Sequence, residues 1–379
     1  MIYADNAATT KLDIDAFEAM KPFLLEEYGN ASQPYSFASS AKRALKKARE
    51  TIANCIGAFP DEIYFTSGGT ESDNWAIKEG TSNGGKIITS QVEHHALLNS
   101  CKSMEEQGIR VVYLPVNQEG YIEKEDLTKM IDIDTSLVSI MFANNEIGSI
   151  QEIKELASIA HGYGALFHTD AVQAVGHVEI DVHDMDVDFL SASAHKFNGP
   201  KGIGFLYVKR GTCLNAYLDG GSQENGLRAG TENIASIVGM ATALKNNCIY
   251  LKENAKKIVN LENVLISKLE KSEIAFIRNG GKRCLPGVIN LSFKGIEGEM
   301  LLHRLDLLGI CISTGAACDS KKTKISHVIN AINVPKEYAE GTVRISLGKY
   351  NSEQEIEKIA DSMIEIVRKY TEWMQLKHK

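Results

Sequence analysis

Lys196 directly follows a short apolar run, and its side chain is a candidate for chemistry. The stretch VDFLSASAHK, residues 187–196, predicts a buried strand followed by small polar residues, His195 and Lys196. A lysine amine held in a fixed, largely dry position can bind an aldehyde cofactor as a Schiff base. A surface lysine after a strand is the alternative, and the His-Lys dipeptide taken alone favours it. The surrounding sequence must therefore distinguish the two.

A second stretch, FTSGGTESDN at residues 65–74, has the composition of a phosphate site. Its glycines, including Gly69, allow a tight turn, the N–H groups of the following helix attract an anion, and Thr70 adds a hydroxyl. An ordinary capped helix after a glycine turn is the alternative. The stretch matches neither the Walker loop nor the dinucleotide-binding pattern.

Asp170 and Gln173 follow another apolar run in ALFHTDAVQAVG. A carboxylate at this position can keep a pyridinium nitrogen protonated, and an amide nearby can bond a phenolic oxygen, as pyridoxal phosphate requires. A carboxylate that caps the next turn is the alternative. Since ligands in open α/β sheets collect at the carboxyl ends of strands, Asp170 and Lys196 could meet over one ring.

Two further predicted strands end in polar residues. His94 in VEHHALL could stack on a ring or move a proton, and Asn145 in FANNEIG could bond a ring oxygen or a substrate carboxylate. Metal binding by the histidines is not favoured, because no acidic or cysteine partner has suitable spacing. We therefore expect no metal site.

The second half of the chain contributes Arg344 and Cys318. Arg344 lies inside the apolar run VRISLG, where a carboxylate from a substrate or from the protein would satisfy the guanidinium. Cys318 lies in ISTGAACDSKKTKIS, a small, polar and charged stretch that predicts a mobile surface loop, and the neighbouring Lys321 and Lys322 favour its thiolate. We interpret Cys318 as a reactive nucleophile.

The elements that must position these residues alternate between strand and helix. Helical or glycine-containing stretches separate most of the short β-branched or aromatic runs, so we predict an α/β fold with one mainly parallel, seven-stranded sheet. The predicted strands are 62–66, 86–89, 110–114, 137–143, 165–169, 187–192 and 203–208. An amphipathic helix is predicted over 39–56, and long helix over 239–269 connects to a second domain. The capping box of Ser352 and Glu355 opens a final helix with an apolar stripe from Ile356 to Trp373.

Composition narrows the class of protein. The 379 residues carry a net charge of −8 and contain no long apolar run, which argues against nucleic-acid and membrane binding. The chain shows no signal-peptide pattern, so we expect a cytoplasmic protein. Its seven scattered cysteines include no C-x-x-C pair, so neither a disulfide framework nor structural zinc is expected.

Taken together, the motifs resemble the pyridoxal-phosphate-dependent cysteine desulfurases of the NifS/IscS type, in the class V aminotransferase family. In order along the chain they are DNAATT, TSGGTESDN, EHH, NNEIG, HTDAVQ, SASAHK, GPKGIG, GGSQENGLRAGT and the cysteine loop. The resemblance implies the fold type I of pyridoxal-phosphate enzymes. It also implies a large domain at 15–255 and a smaller α+β domain at 1–14 and 256–379.

The resemblance also implies a role for each matching residue. Lys196 would be the Schiff-base lysine, with His94 stacked on the ring and Asp170 on the pyridinium. The phosphate would be held by Gly69, Thr70, Ser193 and His195, the ring oxygen and substrate by Gln173 and Asn145, and the substrate carboxylate by Arg344. Thr231 would reach the phosphate of the other subunit of a homodimer.

The implied reaction removes sulfur from L-cysteine, leaving L-alanine and a persulfide on Cys318. That sulfur would pass to an acceptor protein for iron–sulfur cluster assembly or for tRNA or cofactor thiolation. Selenocysteine lyase or another class V reaction is the alternative among enzymes, and a degenerate binding protein is the alternative outside them. The loop departs from the family pattern at Ala316 and at Lys324-Ile325, which leaves loop docking and partner choice open.

Overall fold

A computed structural model describes residues 1–82, 84–314 and 325–377. The strands are β1 Ile2–Tyr3, β2 Ile63–Thr66, β3 Lys86–Ser90, β4 Arg110–Leu114, β5 Thr135–Ser139, β6 Leu166–Asp170, β7 Phe189–Ser193, β8 Gly204–Val208, β9 Phe276–Asn279, β10 Val288–Phe293, β11 Ile310–Cys311 and β12 Thr342–Ser346. The α-helices are α1 Ile14–Leu25, α2 Ser39–Ile56, α3 Gly69–Glu79, α4 His95–Glu106, α5 Lys124–Met130, α6 Ile153–Gly162, α7 Val182–Met185, α8 Ile234–Ile249, α9 Leu251–Lys271, α10 Gly298–Leu307, α11 His327–Ala331, α12 Lys336–Ala339 and α13 Glu353–Lys377. Short 3₁₀ turns span Ser36–Ala38, Pro60–Glu62, Ala194–Lys196 and Gln223–Gly226.

The large sheet has the strand order β2-β8-β7-β6-β5-β3-β4. It is parallel except for β8, which runs antiparallel to both β7 and β2. The predicted seven-stranded, mainly parallel sheet is therefore confirmed. The fifth strand ends at Ser139 rather than at residue 143. Beyond it the N–H groups of Ile140 and Phe142 still bind carbonyls of β6, but the Met141 N–H binds the Glu93 carboxylate, so pairing with β3 stops.

Apolar side chains cover both faces of this sheet. Successive strand residues point to opposite faces, so Ile87 packs with α3 and α4 on one side while Ile88 packs with α2, α6 and α8 on the other. The predicted helix 39–56 is confirmed as α2, and Gly57, at φ 72°, ends it. Helices on both faces leave the carboxyl ends of the strands free to carry a site.

A second apolar core lies around the antiparallel sheet β12-β10-β9 and the parallel pair β1-β11. The helices α9, α10 and α13 supply its other apolar side chains. The predicted long helix over 239–269 is instead two helices, α8 and α9, joined at Tyr250. The division into domains at 15–255 and at 1–14 with 256–379 stays a prediction.

The final helix, α13, begins as predicted. Ser352 donates its backbone N–H to the Glu355 carboxylate at 3.0 Å and its hydroxyl accepts from the Glu355 N–H at 3.4 Å, which forms the capping box. The stripe prediction is wrong at Trp373, which is 52% exposed because α13 extends beyond the core there. No helix in the described ranges combines the length and apolarity that crossing a bilayer needs.

Candidate active site

One cavity of about 710 Å³ lies at the carboxyl ends of the large sheet's strands. Ten of the twelve predicted site residues line it, although they come from widely separated parts of the sequence. They are Gly69, Thr70, His94, Asn145, Asp170, Gln173, Ser193, His195, Lys196 and Arg344. The fold thus brings residues that are far apart in the sequence together at one edge of the sheet.

The structure places one of the two other predicted residues, Thr231, outside this cavity. Thr231 is exposed and lines a smaller recess of about 110 Å³ together with Ser67, Gly202 and Arg228. Cys318 lies outside the described residues. Its role as a nucleophile therefore stays a prediction.

Lys196 lies in the 3₁₀ turn directly after β7, with its amine held against the N-terminal segment. Its Nζ donates to the carbonyl oxygen of Ala7 at 2.6 Å and to that of Ala8 at 3.0 Å. The side-chain amide of Gln173 donates to the same Ala7 oxygen at 3.0 Å. These contacts hold the amine in a fixed, half-buried position, as a Schiff-base lysine needs.

Asp170 ends β6 and is 5% exposed. Burial raises the pKa of its carboxyl to about 6, while the Val172 N–H, 2.9 Å from Oδ1, and the charge of Lys196 act in the opposite direction. A cationic partner would stabilise the charged form of a carboxyl group buried in this way. Asp170 can therefore hold a protonated ring nitrogen.

A second carboxyl group, that of Asp73, lines the same cavity, and its hydrogen bonding and pKa differ from those of Asp170. Its Oδ1 is buried with no hydrogen-bond partner among the residues that the structure describes, and it lies 3.8 Å from Nε2 of His168. Burial and the charge of Asp170 raise the pKa of Asp73 well above its usual range, whereas burial lowers that of His168 to about 3. His168 is therefore neutral at pH 7, and burial favours the protonated form of Asp73 over its carboxylate.

His94 is the N-cap of α4, where its Nδ1 accepts from the Ala96 N–H at 3.2 Å. Burial, with smaller contributions from Lys196 and His95, lowers its pKa to about 4. The ring is therefore neutral at physiological pH. A neutral imidazole can lie flat against another ring or accept a proton.

The start of α3 provides the candidate phosphate cradle. A Cβ on Gly69 would lie 2.5 Å from Cγ2 of Val172, so the helix start sits against the strand end without room for a side chain. Glu71, in the first turn, is bound by Arg228 at 2.8 and 3.1 Å, so its charge is compensated. The helix dipole and free N–H groups, with Thr70, can therefore receive an anion.

His195 and Ser193 complete this cradle. Burial, followed by Lys196 and Lys201, lowers the pKa of His195 to about 4, and its Nδ1 lies 3.1 Å from the Thr9 hydroxyl. A neutral imidazole still offers one N–H to a phosphate oxygen. These donors, Asp170 and Lys196 fit the phosphate, ring nitrogen and aldehyde of pyridoxal phosphate.

Arg344, inside β12, has its guanidinium in the cavity wall. Nη2 donates to Oδ1 of Asp5 at 2.8 Å and Nη1 donates to the carbonyl oxygen of Asn145 at 2.9 Å. Its Nε is buried without a partner in the described part of the chain. Of the alternatives left open by the sequence, a carboxylate of the protein is thus present, and Arg344 keeps donors for a second one.

Several cavity residues were not singled out individually from the sequence. Asp5, Ala7, Ala8 and Thr9 reach the cavity from the N-terminal segment, and His327 reaches it from the start of α11. The motif DNAATT carries part of the family resemblance, but its sequence alone predicts no catalytic or binding role for its residues. Its cluster of one acid and two threonines was the available signal, but nothing local indicates that it packs over Lys196.

Known proteins resemble this chain over most of its length. Residues 2–359 match the family model of the class-V aminotransferases. Cysteine desulfurase IscS of Dictyoglomus turgidum is 47% identical over 373 residues, which cover 97% of this chain and 95% of the relative. Among solved structures, a NifS-like protein aligns with a TM-score of 0.92 and 37% identity, covering 97% of this chain and 99% of that one. SspA, solved in complex with cysteine, aligns with a TM-score of 0.83 and 35% identity, covering 93% and 100%.

Both the fold and the overall sequence are similar to these relatives over nearly the whole chain. The predicted α/β fold of type I is therefore confirmed. The chain belongs to the class-V aminotransferase family, in its group of IscS- and NifS-like cysteine desulfurases.

Proposed function

We propose that the protein is a pyridoxal-phosphate-dependent cysteine desulfurase that converts L-cysteine to L-alanine and a persulfide on Cys318. The observation that carries the proposal is the convergence of ten predicted residues on one cavity. A lysine amine, a buried carboxylate, a neutral imidazole and an anion cradle occur together there. The names of the relatives support the same activity.

The cofactor would be held by groups already in place. The start of α3 with Gly69 and Thr70, together with Ser193 and His195, would bind its phosphate, while Asp170 would pair with its ring nitrogen. When bound, pyridoxal phosphate supplies an electron sink for carbanion chemistry at the substrate Cα. Burial of Asp170 makes its pairing with a cationic ring worth more than it would be in water.

The substrate would be oriented by its two ionic groups. Arg344 and Asn145 line the cavity and would bind the carboxylate, and Lys196, which lines the same cavity, would act on the reacting carbon. Lys196 would take the proton from Cα, because its amine is anchored beside the cavity by the Ala7 and Ala8 carbonyls. His94, which is neutral at pH 7 and lines the cavity, can also move a proton there.

Sulfur transfer is assigned to Cys318. Its thiolate would attack the substrate sulfur, forming an S–S bond as the Cβ–S bond breaks. Cβ would then take a proton, and Cα would regain the proton held by Lys196, which gives alanine. Thr314, which lines the cavity, precedes Cys318 by four residues, a chain reach of at most about 14 Å. The persulfide would pass to an acceptor protein of iron–sulfur assembly or thiolation.

A homodimer is part of the proposal. Large apolar side chains between residues 14 and 37 are exposed in the single chain, and patches of this kind mark protein interfaces. They are Ile14, Phe17, Leu24, Leu25, Tyr28, Tyr35 and Phe37. Thr231, exposed outside the main cavity, would then reach the partner's phosphate. Sedimentation should give twice the mass of one chain.

The deciding experiment measures alanine and sulfide formed from L-cysteine, with L-selenocysteine alongside. We expect equal amounts of alanine and sulfide in the presence of a thiol reductant. Cys318→Ala should keep the yellow cofactor but lose sulfide release, and Lys196→Ala should lose both. Undiminished sulfide release by Cys318→Ala would refute the nucleophile, and turnover of selenocysteine alone would favour the lyase.

A further inference from the structure

Asp5 is the internal counter-ion of the guanidinium that faces the cavity. The Arg344 and Asp5 side chains are 7% and 18% exposed, and Nη2 lies 2.8 Å from Oδ1. Asp5 is held in place by a β-bridge to Ser346, which lies two residues after Arg344 on β12. The pair therefore joins two fixed stretches of backbone, and its geometry does not depend on a flexible loop.

Arg344 has N–H donors beyond those that Asp5 binds, and these could bind a substrate. Among the described residues its Nε is buried without a hydrogen bond, so Asp5 and the Asn145 carbonyl satisfy only part of the guanidinium's N–H donors. An unpaired buried guanidinium is costly, and Asp5 reduces that cost while the cavity holds no substrate. A substrate carboxylate that binds the remaining donors must share Arg344 with a carboxylate already present.

We propose that Asp5 sets the affinity of the site for amino-acid carboxylates by partly neutralising Arg344. The proposal rests on the function proposed above and deepens it. L-cysteine and L-alanine carry the same carboxylate, so the charge of Asp5 weakens the binding of the substrate and of the product alike. Weaker binding of the product favours its release.

The variant Asp5→Asn tests this because it keeps an oxygen that can accept from Nη2 and removes the charge. Calorimetric titration of the holoenzyme with L-alanine should show roughly three- to tenfold tighter binding, and the KM for L-cysteine should fall by a similar factor. Asp15→Asn makes the same change on α1, away from Arg344, and should leave both values unchanged. Asp5→Ser provides a second neutral variant if the amide disturbs folding.

A double-mutant cycle separates this role from orientation alone. In the background Arg344→Gln, the change Asp5→Asn should no longer tighten alanine binding, because the effect acts through the guanidinium. Unchanged or weaker alanine binding in both Asp5→Asn and Asp5→Ser would overturn the proposal and leave Asp5 as a positioning residue. Alanine binding is measured without turnover, so an absence of sulfide release would count against the proposed function and not against this inference.

Discussion

Replacing Glu93 by glutamine should change how stability depends on pH. Glu93 precedes His94, is fully buried, and accepts from the Ser90 hydroxyl at 2.6 Å and from the Met141 N–H at 3.0 Å. Burial, with the charge of Asp170 in the same direction, raises the pKa of its carboxyl to about 8. At pH 5 the side chain is thus a neutral acid of nearly the same shape as glutamine.

The magnitude follows from proton linkage. An unperturbed glutamate has a pKa of 4.5, so between pH 4.5 and 8 the folded protein keeps a proton that the unfolded chain has lost. The free energy of unfolding from this group is highest below pH 4.5 and falls by about 1.4 kcal/mol per pH unit, about 5 kcal/mol in all, until pH 8. Glutamine does not titrate, so the free energy of unfolding of Glu93→Gln should not fall in this way.

Urea denaturation followed by circular dichroism, at intervals from pH 5 to 9, measures the difference. The variant should match the wild type near pH 5 and exceed it by several kcal/mol at pH 8.5, with a plateau above that pH. Glu106→Gln, which removes an exposed carboxyl from α4, should follow the wild-type curve. Parallel curves for Glu93→Gln and the wild type would refute a raised pKa.

Further predictions concern packing, thiol chemistry and helix capping. Gly69→Ala should weaken pyridoxal phosphate binding at least tenfold in fluorescence titration because its Cβ has no room, whereas Gly162→Ala, with open space around it, should bind normally. Cys248 should be alkylated before Cys55 in mass spectrometry, since the hydrogen bond between the two thiols lowers the pKa of Cys248 and raises that of Cys55; equal rates would contradict this. Ser352→Ala should lower the free energy of unfolding by about 1 kcal/mol through loss of the capping box, and an unchanged urea midpoint would argue against it.

Much of the sheet and the site could be predicted because the signals are local. Alternating apolar runs and helical stretches indicate parallel strands, and polar residues directly after such runs fall at one edge of the sheet. Lys196, Asp170 and His94 were selected in this way, and all three line the cavity. Predicted boundaries were less accurate where a side chain ends a ladder, as Glu93 does at β5.

The sequence by itself determined the order of the strands along the chain, the strand-end residues and the family. Only the tertiary structure decided which carboxylate meets Arg344, and that Ala7 and Ala8 hold the amine of Lys196. Asp5 and Arg344 are 339 residues apart. No periodicity or turn chemistry reports such a contact, because it depends on how β12 and the N-terminal segment pack around the cavity.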